Sequence, residues 1–292
     1  MNKIGIHFGY FSDNWDPDFF ALMDRVSKIG FDILEVPAVA LMHKTKAQRD
    51  EIVKVAKEKG LELTFSVGLS ANQDIASEDA AVRKNGIDFC TKAFKIMDEM
   101  GSNIYAGVLT GGWNTTYDYG IRDKSKDIKR SVTSVKEIMK AAEAYGVTYA
   151  IEVVNRYEQP LLNTAEEAME YVKMVDSPNC KILLDTYHMN IEEDSFADAI
   201  KTVGKEKLGH FHVGEPNRKP PKPTGRMPWD EITTALKDIN YTGAIVMEPF
   251  IKMGGDVARD IKVWRDISKK ATPAEMDQLA KVALNMLREK MK

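Results

Sequence analysis

The feature that most constrains the fold is a regular alternation of short apolar runs with longer segments of helical period, repeated from one end of the chain to the other. Each short run is typical of a buried parallel strand, and each longer segment carries an apolar stripe, as a helix packed on a sheet does. The predicted strands are Ile4–Tyr10, Ile33–Pro37, Leu61–Val67, Ile104–Leu109, Thr148–Val154, Lys181–Leu184, Leu208–Val213 and Ala244–Met247. The predicted helices are 17–29, 46–59, 78–100, 127–145, 165–175, 196–203 and 229–239, with further helices after Ile251.

Eight such units in one chain of 292 residues predict closure into a (β/α)₈ barrel. An open doubly wound sheet usually has fewer strands and leaves two edges to protect, whereas a barrel has none. The length is also close to the roughly 250 residues typical of such a barrel. We therefore expect residues 1–292 to form a single α/β domain, a TIM barrel with extra C-terminal helices.

Charge and composition narrow the range of partners. The chain has 41 basic and 44 acidic residues, a net charge of −3, so it has no cationic excess to neutralise a nucleic-acid backbone. The N-terminus has no apolar stretch of signal-peptide length, and no run approaches the roughly 20 apolar residues that span a bilayer. We expect a cytoplasmic protein without nucleic-acid or membrane partners, and buried thiols at Cys90 and Cys180.

Metal-ligating residue types stand near the carboxyl ends of four neighbouring predicted strands. Glu152 lies on strand five, Asp185 follows strand six, His212 lies on strand seven and Glu248 follows strand eight. In a barrel the reactive groups project from this end. Three carboxylates and an imidazole suit a divalent ion such as Mn²⁺, Co²⁺ or Mg²⁺ better than a structural zinc. Clustered buried carboxylates repel one another, so a cation is the simplest compensation.

The histidines leave choices open. His210 and His212 share one strand face, with His210 a layer deeper, and their spacing does not decide which of them binds a metal. His188 lies past the exit of strand six, where a polar contact with a substrate is expected. His7, on strand one, either lines a pocket or simply packs in the core.

Further side chains are expected at the same end of the barrel. Trp15, Trp113 and Phe250 are candidates for an apolar wall against the carbon face of a sugar, with ordinary packing as the alternative. Polar residues crowd the rim, and an ion-pair network is their alternative role, preferred for Arg156: Asn155, Arg156, Glu158, Asn190, Glu215 and Arg218. The long polar loop over 110–123 is long enough to be functional, and the proline-rich loop over 219–224 is either a stiff loop of the active site or a surface turn.

Several stretches resemble the ketose 3-epimerase family: IEVVNRYE, LLDTYHMNIEED, GHFHVGEPNRK, GRMPW, AIVMEPF and IKVWRDI. This family, the D-tagatose 3-epimerase and D-psicose (D-allulose) 3-epimerase group, belongs to the xylose-isomerase-like TIM barrels, and the resemblance runs over nearly the whole chain. It implies one divalent ion per subunit, usually Mn²⁺ or Co²⁺, bound by Glu152, Asp185, His212 and Glu248. It also implies that Glu152 and Glu248 are the catalytic pair, in a homodimer or homotetramer.

The resemblance implies a reaction as well. Glu158, His188 and Arg218 correspond to family residues that hold the ketose around C1 to C3. The expected activity is epimerisation of a free ketose at C3, of the D-fructose/D-psicose or D-tagatose/D-sorbose type, by two-glutamate proton transfer through a cis-enediolate. No nicotinamide or flavin is needed, and the sequence has neither GxGxxG after its first strand nor GxxxxGK[ST]. Position 7 is His where relatives usually have an aromatic residue, which leaves the preferred ketose open.

Alternatives exist within and beyond this activity. An aldose–ketose isomerase, a hydroxypyruvate isomerase or an inosose dehydratase would use the same scaffold, although Glu158, His188 and Arg218 favour the epimerase. A DNA-repair endonuclease of related fold needs several zinc ions, and hence more than the five histidines present. A sugar-binding barrel without catalysis predicts a missing acid or base residue, and none is missing here.

Overall fold

The computed structural model describes residues 2–115 and 123–292 and contains eight parallel strands. They are Ile4–His7 (β1), Ile33–Pro37 (β2), Glu62–Gly68 (β3), Ile104–Val108 (β4), Thr148–Glu152 (β5), Cys180–Asp185 (β6), Leu208–Val213 (β7) and Ile245–Met247 (β8). Each strand pairs with the next in sequence and β8 pairs with β1, which closes the barrel. The predicted (β/α)₈ fold is confirmed. Tyr117 and Tyr119 of the loop over 110–123 lie outside the described residues.

Eleven α-helices of the described ranges surround this barrel or cap its ends. They are Phe19–Ile29 (α1), Ala38–Met42 (α2), Lys46–Glu58 (α3), Ala80–Met100 (α4), Ser125–Ala144 (α5), Ala165–Val175 (α6), Thr186–Glu192 (α7), Phe196–Lys207 (α8), Trp229–Asp238 (α9), Gly255–Asp260 (α10) and Pro273–Lys290 (α11). Helices α10 and α11 confirm the prediction of helices after Ile251. Among these helices, none is both long and apolar enough to cross a membrane.

Local sequence signals explain where the helices begin and end. The Asp18 carboxylate accepts hydrogen bonds from the first amides of α1, and Gly30 ends that helix at a φ of 101°. Apolar side chains of the helices pack against the outer face of the strands and form one continuous core. Cys90 and Cys180 lie buried and unpaired, as predicted.

The first strand is shorter than the predicted Ile4–Tyr10. It ends at His7, and Phe8–Tyr10 forms a 3₁₀ turn, because Nδ1 of His7 accepts a hydrogen bond from the amide of Gly9 at 3.2 Å. A Cβ at Gly9 would lie 2.4 Å from the ring of Phe250, so this close approach requires glycine. The turn leaves His7 at the exit of β1, facing the barrel's carboxyl end.

Two short helices, α2 and α7, were not predicted. They have five and seven residues, which is too few for apolar periodicity to reveal them. Asp185 begins α7 by accepting a hydrogen bond from the amide of Tyr187 at 2.8 Å. Helix α7 then carries His188 back across the end of the barrel, where it faces the loop after β5.

Other element ends differ by a few residues. Strand β5 ends at Glu152 rather than at the predicted Val154, so Asn155 already belongs to the following loop. Helix α8 extends to Lys207 rather than Val203, across Gly204, whose φ of 63° and ψ of 171° interrupt the helical backbone.

Candidate active site

A pocket of about 490 Å³ opens at the carboxyl ends of the strands. Its walls come from the ends of β1 to β5 and β7, from the loops that follow β1, β3, β4, β5, β7 and β8, and from α2, α7 and α10. All of the side chains predicted to contact a substrate line this pocket: His7, Trp15, Trp113, Glu158, His188, Arg218 and Phe250. The fold therefore brings these residues to one cavity, although their contacts with a substrate stay a prediction.

The four predicted metal ligands converge at the floor of the pocket. Glu152 and Asp185 are the last residues of β5 and β6, His212 is next to last on β7, and Glu248 follows β8 directly. One ligand atom from each of these side chains lies within 4.8 Å of all the others. Asp185 pairs in register with His212, which brings their side chains to the same level of the barrel. The barrel's closure thus assembles in space a set that is spread over 97 residues of sequence.

The unpaired atoms of this cluster fit a divalent cation. Oε1 of Glu152 and Nδ1 of His212 are buried and have no hydrogen-bond partner among the described residues. Nδ1 of His212 lies 3.7 Å from Oε1 of Glu248 and 4.0 Å from Oε1 of Glu152, so the imidazole faces the carboxylates. Three carboxylates with one imidazole form a donor set for a hard or borderline ion. The cluster is a possible metal site, and its geometry does not identify the metal.

The choice between the two histidines of β7 follows from their positions. His212 belongs to the cluster, whereas His210 lies one layer deeper and is fully buried. Nε2 of His210 lies 2.8 Å from Oε2 of Glu35 on β2. Glu35, His210 and His212 form a second group of possible metal ligands. His212 belongs to both groups.

Arg218 is the cation that the protein itself supplies to this cluster. Its Nη1 donates to Oδ2 of Asp185 at 2.9 Å and to Oε2 of Glu248 at 2.8 Å. The guanidinium stacks on the ring of Tyr187, with Cζ 3.8 Å from the ring centroid. Nη2 lies 3.8 Å from Oε1 of Glu158. Arg218 thus joins the floor of the pocket to its polar wall.

The polar wall consists of Glu158, His188 and Asn155. Nδ1 of His188 accepts a hydrogen bond from the main-chain amide of Asn155 at 3.0 Å, so the ring proton of the neutral imidazole lies on Nε2. That Nε2 is 3.4 Å from Oε1 of Glu152. Glu158 accepts hydrogen bonds from Nε1 of Trp113 at 3.0 Å and from Nδ2 of Asn155 at 3.1 Å. These contacts fix the directions of the side chains that face the pocket.

Aromatic rings form another part of the pocket wall. Trp15 and Trp113 meet edge to face with their centroids 6.0 Å apart, and Nε1 of Trp15 donates to Oδ2 of Asp260 at 2.8 Å. The rings of His7 and Phe250 also meet edge to face, at 5.3 Å. Nε2 of His7 lies 3.0 Å from Oγ of Ser66, so this part of the wall is polar as well as aromatic.

Burial and charge act against each other in the cluster. Burial raises the pKa of Glu248 well above its usual value, and the charges of His212 and Arg218 oppose this rise only in part. Burial acts in the same direction on Asp185, but the charges of Arg218 and the neighbouring histidines, together with the hydrogen bond from the amide of Tyr187, hold that pKa below its usual value. One arginine therefore does not compensate every carboxylate, and a divalent cation would favour the charged form of Glu248.

The remaining rim residues have other roles. Arg156 forms an ion pair with Glu192 at 2.6 Å, in which the arginine side chain is 61% exposed and the glutamate side chain 3%, and this agrees with the preferred interpretation of an ion pair. Asn190 is exposed. Glu215 is buried, and its carboxylate accepts hydrogen bonds from the loop that follows it rather than facing the pocket.

Sequence reasoning missed Glu35, Ser66 and Asp260. A single charged residue inside the predicted strand ILEVP was the available signal for Glu35, since an interior barrel position usually holds an apolar side chain. Ser66 and Asp260 carry no comparable signal, because their roles depend on contacts with His7 and Trp15 that only the folded chain makes.

The chain is similar to known proteins over nearly its whole length. Residues 23–267 match the family described as xylose isomerase-like TIM barrel. A D-psicose 3-epimerase of Ruminiclostridium cellulolyticum is 46% identical over 286 residues, which cover 98% of this chain and 97% of the relative. A D-psicose 3-epimerase of Agrobacterium fabrum is 45% identical over 282 residues, which cover 97% and 96%. The crystal structure of a D-psicose 3-epimerase with D-tagatose from Clostridium cellulolyticum H10 is 45% identical, has a TM-score of 0.96 and matches 99% of both chains.

Proposed function

The chain belongs to the xylose isomerase-like TIM-barrel family and, within it, to the ketose 3-epimerases, and from this membership we propose that it inverts the hydroxyl-bearing carbon C3 of a free ketohexose. Members of this group are isomerases of the epimerase class. D-psicose and D-fructose are the first substrate pair to test, because the relatives with 46% and 45% identity are D-psicose 3-epimerases. D-tagatose and D-sorbose are the second pair.

The observation that carries the proposal is that Glu152 and Glu248 belong to the possible metal site and also face the pocket. Of the three carboxylates of the possible metal site, these two also line the pocket, whereas Asp185 does not. Two carboxylates are therefore held in place and still reach the cavity. They come from the ends of β5 and β8, which are separated by two other strands.

This arrangement suits inversion at a carbon next to a carbonyl. The hydrogen on C3 of a ketose is acidic because the carbonyl at C2 takes up the negative charge, which gives a cis-enediolate. Inversion needs proton removal from one face and proton return to the other, and Glu152 and Glu248 supply one base for each face. A divalent ion held by Glu152, Asp185, His212 and Glu248 would stabilise the charge that develops on O2 and O3. Mn²⁺ is the first choice, with Co²⁺ or Mg²⁺ as alternatives.

Arg218, His188 and Glu158 are proposed to orient the sugar. They form one connected group, because Arg218 lies 3.8 Å from Oε1 of Glu158, and Asn155 donates hydrogen bonds to both Glu158 and His188. Between them they present donors and an acceptor to sugar hydroxyl groups. Fixed hydrogen-bond directions would hold C3 close to both glutamates, and positioning of this kind contributes strongly to catalysis.

The test is hydrogen exchange at C3 in D₂O. Metal-stripped protein supplemented with Mn²⁺ is incubated with D-psicose, D-fructose, D-tagatose or D-sorbose, and the sugars are followed by NMR. Deuterium at C3 together with the C3 epimer is the expected result. Deuterium at C1 would instead indicate an aldose–ketose isomerase. Sugar binding without any exchange would indicate a binding protein.

Two variants test the assignment of the bases. Glu152→Gln and Glu248→Gln should each abolish epimer formation, whereas Glu166→Gln, at an exposed position on α6, is the matched control and should leave it unchanged. Epimerisation retained in both pocket variants would contradict the two-base scheme.

We also propose that residues 1–292 form one domain and that the protein assembles as a homodimer or homotetramer. A single cooperative unfolding transition would support the first statement, and sedimentation equilibrium would test the second.

A further inference from the structure

Beneath the pocket, a buried carboxylate connects the two histidines of β7. Glu35 lies on β2, across the barrel interior, and is 0% exposed. Its Oε2 lies 2.8 Å from Nε2 of His210 and accepts a hydrogen bond from Oγ1 of Thr64 at 2.8 Å. Its Oε1 lies 2.8 Å from Nε2 of His212. One carboxylate therefore reaches a member of the possible metal site from below.

Burial of a carboxylate at this position costs free energy unless neighbouring groups form hydrogen bonds or ion pairs with it. The interior of such a barrel is usually filled by layers of branched apolar side chains, and a buried charge needs partners that compensate its lost hydration. Glu35 has partners at both oxygens, from three different residues. An apolar side chain would fill the same layer without this requirement, so the carboxylate is better explained by what it does to its partners than by packing.

The two nitrogens of His212 face in opposite directions. Nε2 faces Glu35, and Nδ1 faces Glu152 and Glu248 at 4.0 and 3.7 Å. An ionised carboxylate only accepts hydrogen bonds, so the nitrogen next to Glu35 is the one that carries the ring proton. The lone pair of a neutral His212 then lies on Nδ1, directed toward the carboxylate cluster.

We propose that Glu35 is a positioning residue that fixes the tautomer and ring direction of His212 and thereby sets the affinity of the cluster for its divalent ion. The inference rests on the metal site of the proposed function. Thr64 and His210 hold the other oxygen of the carboxylate and so orient Glu35 itself. Carboxylate–histidine pairs behind a metal ligand act in this way in other proteins.

The contact between Glu35 and His212 is short but is not yet an aligned hydrogen bond. Oε1 of Glu35 and both ring nitrogens of His212 are buried without a hydrogen-bond partner of standard geometry. The ring is thus held between an acceptor on one side and the candidate ligands on the other.

The first experiment measures metal affinity rather than activity. Full-length protein is stripped with a chelator and titrated with Mn²⁺ by calorimetry and by the EPR signal of free Mn²⁺. Glu35→Gln should weaken Mn²⁺ binding by about 10- to 100-fold. Thr64→Val is the matched control, because it removes one hydrogen bond from the same carboxylate at the oxygen away from His212, and its effect should be much smaller. Equal affinity in Glu35→Gln and wild type, or equal weakening in both variants, would overturn the proposal.

A second measurement needs no variant of Glu35 and covers the case in which that variant does not fold. The chain has five histidines, so the ring nitrogens can be assigned by ¹⁵N NMR on labelled wild-type protein loaded with diamagnetic Mg²⁺. His212 should show a proton on Nε2 and none on Nδ1. A proton on Nδ1 would overturn the proposal.

The outcomes separate this inference from the proposed function. Weaker Mn²⁺ binding in Glu35→Gln, in a protein whose wild type exchanges no hydrogen at C3, supports the positioning role and contradicts the epimerase. Normal C3 exchange in the wild type, with unchanged Mn²⁺ binding in Glu35→Gln, supports the epimerase and contradicts the positioning role. Two ions per wild-type chain, falling to one in Glu35→Gln, would make Glu35 a ligand of a second ion and overturn the positioning role.

Discussion

Nε1 of Trp113 donates a hydrogen bond to Oε2 of Glu158 across 3.0 Å and so joins the loop after β4 to the loop after β5. Burial alone would raise the pKa of Glu158, but the charges of His188 and Arg218, together with the hydrogen bonds from Trp113 and Asn155, hold that pKa below its usual value. Glu158 is therefore a charged acceptor whose direction is set by a tryptophan. The ring of Trp113 and the carboxylate it holds both line the pocket.

Trp113→Phe tests this hydrogen bond, because it keeps an aromatic ring and removes only the N–H donor. Loss of a bond to a charged acceptor is worth about 1.5 kcal/mol, so kcat/KM should fall roughly tenfold, mainly through KM. Trp15→Phe is the control, since Trp15 donates to Asp260 at the rim and not to a residue of the polar wall. Steady-state kinetics with D-psicose measures both. A larger loss in Trp15→Phe would contradict the role assigned to Trp113.

The metal cluster could be predicted from the sequence because the fold alone decides where strand ends meet. Glu152, Asp185, His212 and Glu248 each stand at or next to the end of an apolar run, and eight such runs predict a closed barrel. Closure then brings the four side chains to one rim whatever their exact orientation. No knowledge of side-chain rotamers was needed.

The contacts around the cluster could not be predicted in this way. Glu35 meets His210 across 175 positions of sequence, and this contact depends on which barrel layer each residue occupies. The choice of His212 over His210 depends on the same layer spacing. The bond between Trp113 and Glu158 joins two irregular loops whose paths have no periodic signal. Apolar patterning predicts elements, and it contains no information on such contacts.

Arg218→Gln should destabilise the metal-free protein, because Asp185 and Glu248 would lose the cation that each contacts below 3 Å. Breaking a buried pair in this way costs about 3 kcal/mol of unfolding free energy, and excess Mn²⁺ should restore part of it by supplying the missing charge. Urea unfolding with and without Mn²⁺ measures both effects. Lys46→Gln, at the exposed pair with Asp50, should change the same free energy by less than about 1 kcal/mol. Equal losses in the two variants would contradict the prediction.

Asp185→Asn should remove the stabilisation that a divalent ion gives to the fold. A ligand at 100 times its Kd stabilises the folded state by about 2.7 kcal/mol, so wild-type protein should melt at a higher temperature with Mn²⁺ than after chelation. Asp185 also caps α7. Each variant is therefore compared with itself, with and without Mn²⁺, which cancels the lost cap. Glu166→Gln should keep the full shift in melting temperature, and a full shift in Asp185→Asn would exclude Asp185 from the metal site.

Glu215 anchors the proline-rich loop over 219–224 that follows Arg218. Its carboxylate accepts hydrogen bonds from the amide of Arg226 at 2.8 Å and from Nε1 of Trp229 at 3.0 Å. Its main-chain oxygen accepts from the amide of Arg218, whose φ of 58° is unusual for a side-chain-bearing residue. The buried carboxylate thus holds the backbone that directs Arg218 into the pocket.

Gly225→Ala tests this anchor, because a Cβ at Gly225 would lie 1.9 Å from Oε1 of Glu215. The carboxylate cannot move aside without losing its hydrogen bonds, so the unfolding free energy should fall by about 1–3 kcal/mol and kcat should fall with it. Gly214→Ala is the control, since its Cβ would meet no atom closer than 3.8 Å. The double variant Gly225→Ala/Glu215→Ala should lose less unfolding free energy than the two single variants lose in sum, because the Glu215 carboxylate that the new Cβ would meet is gone. Additive losses would mean that Gly225 is required for a reason other than Glu215.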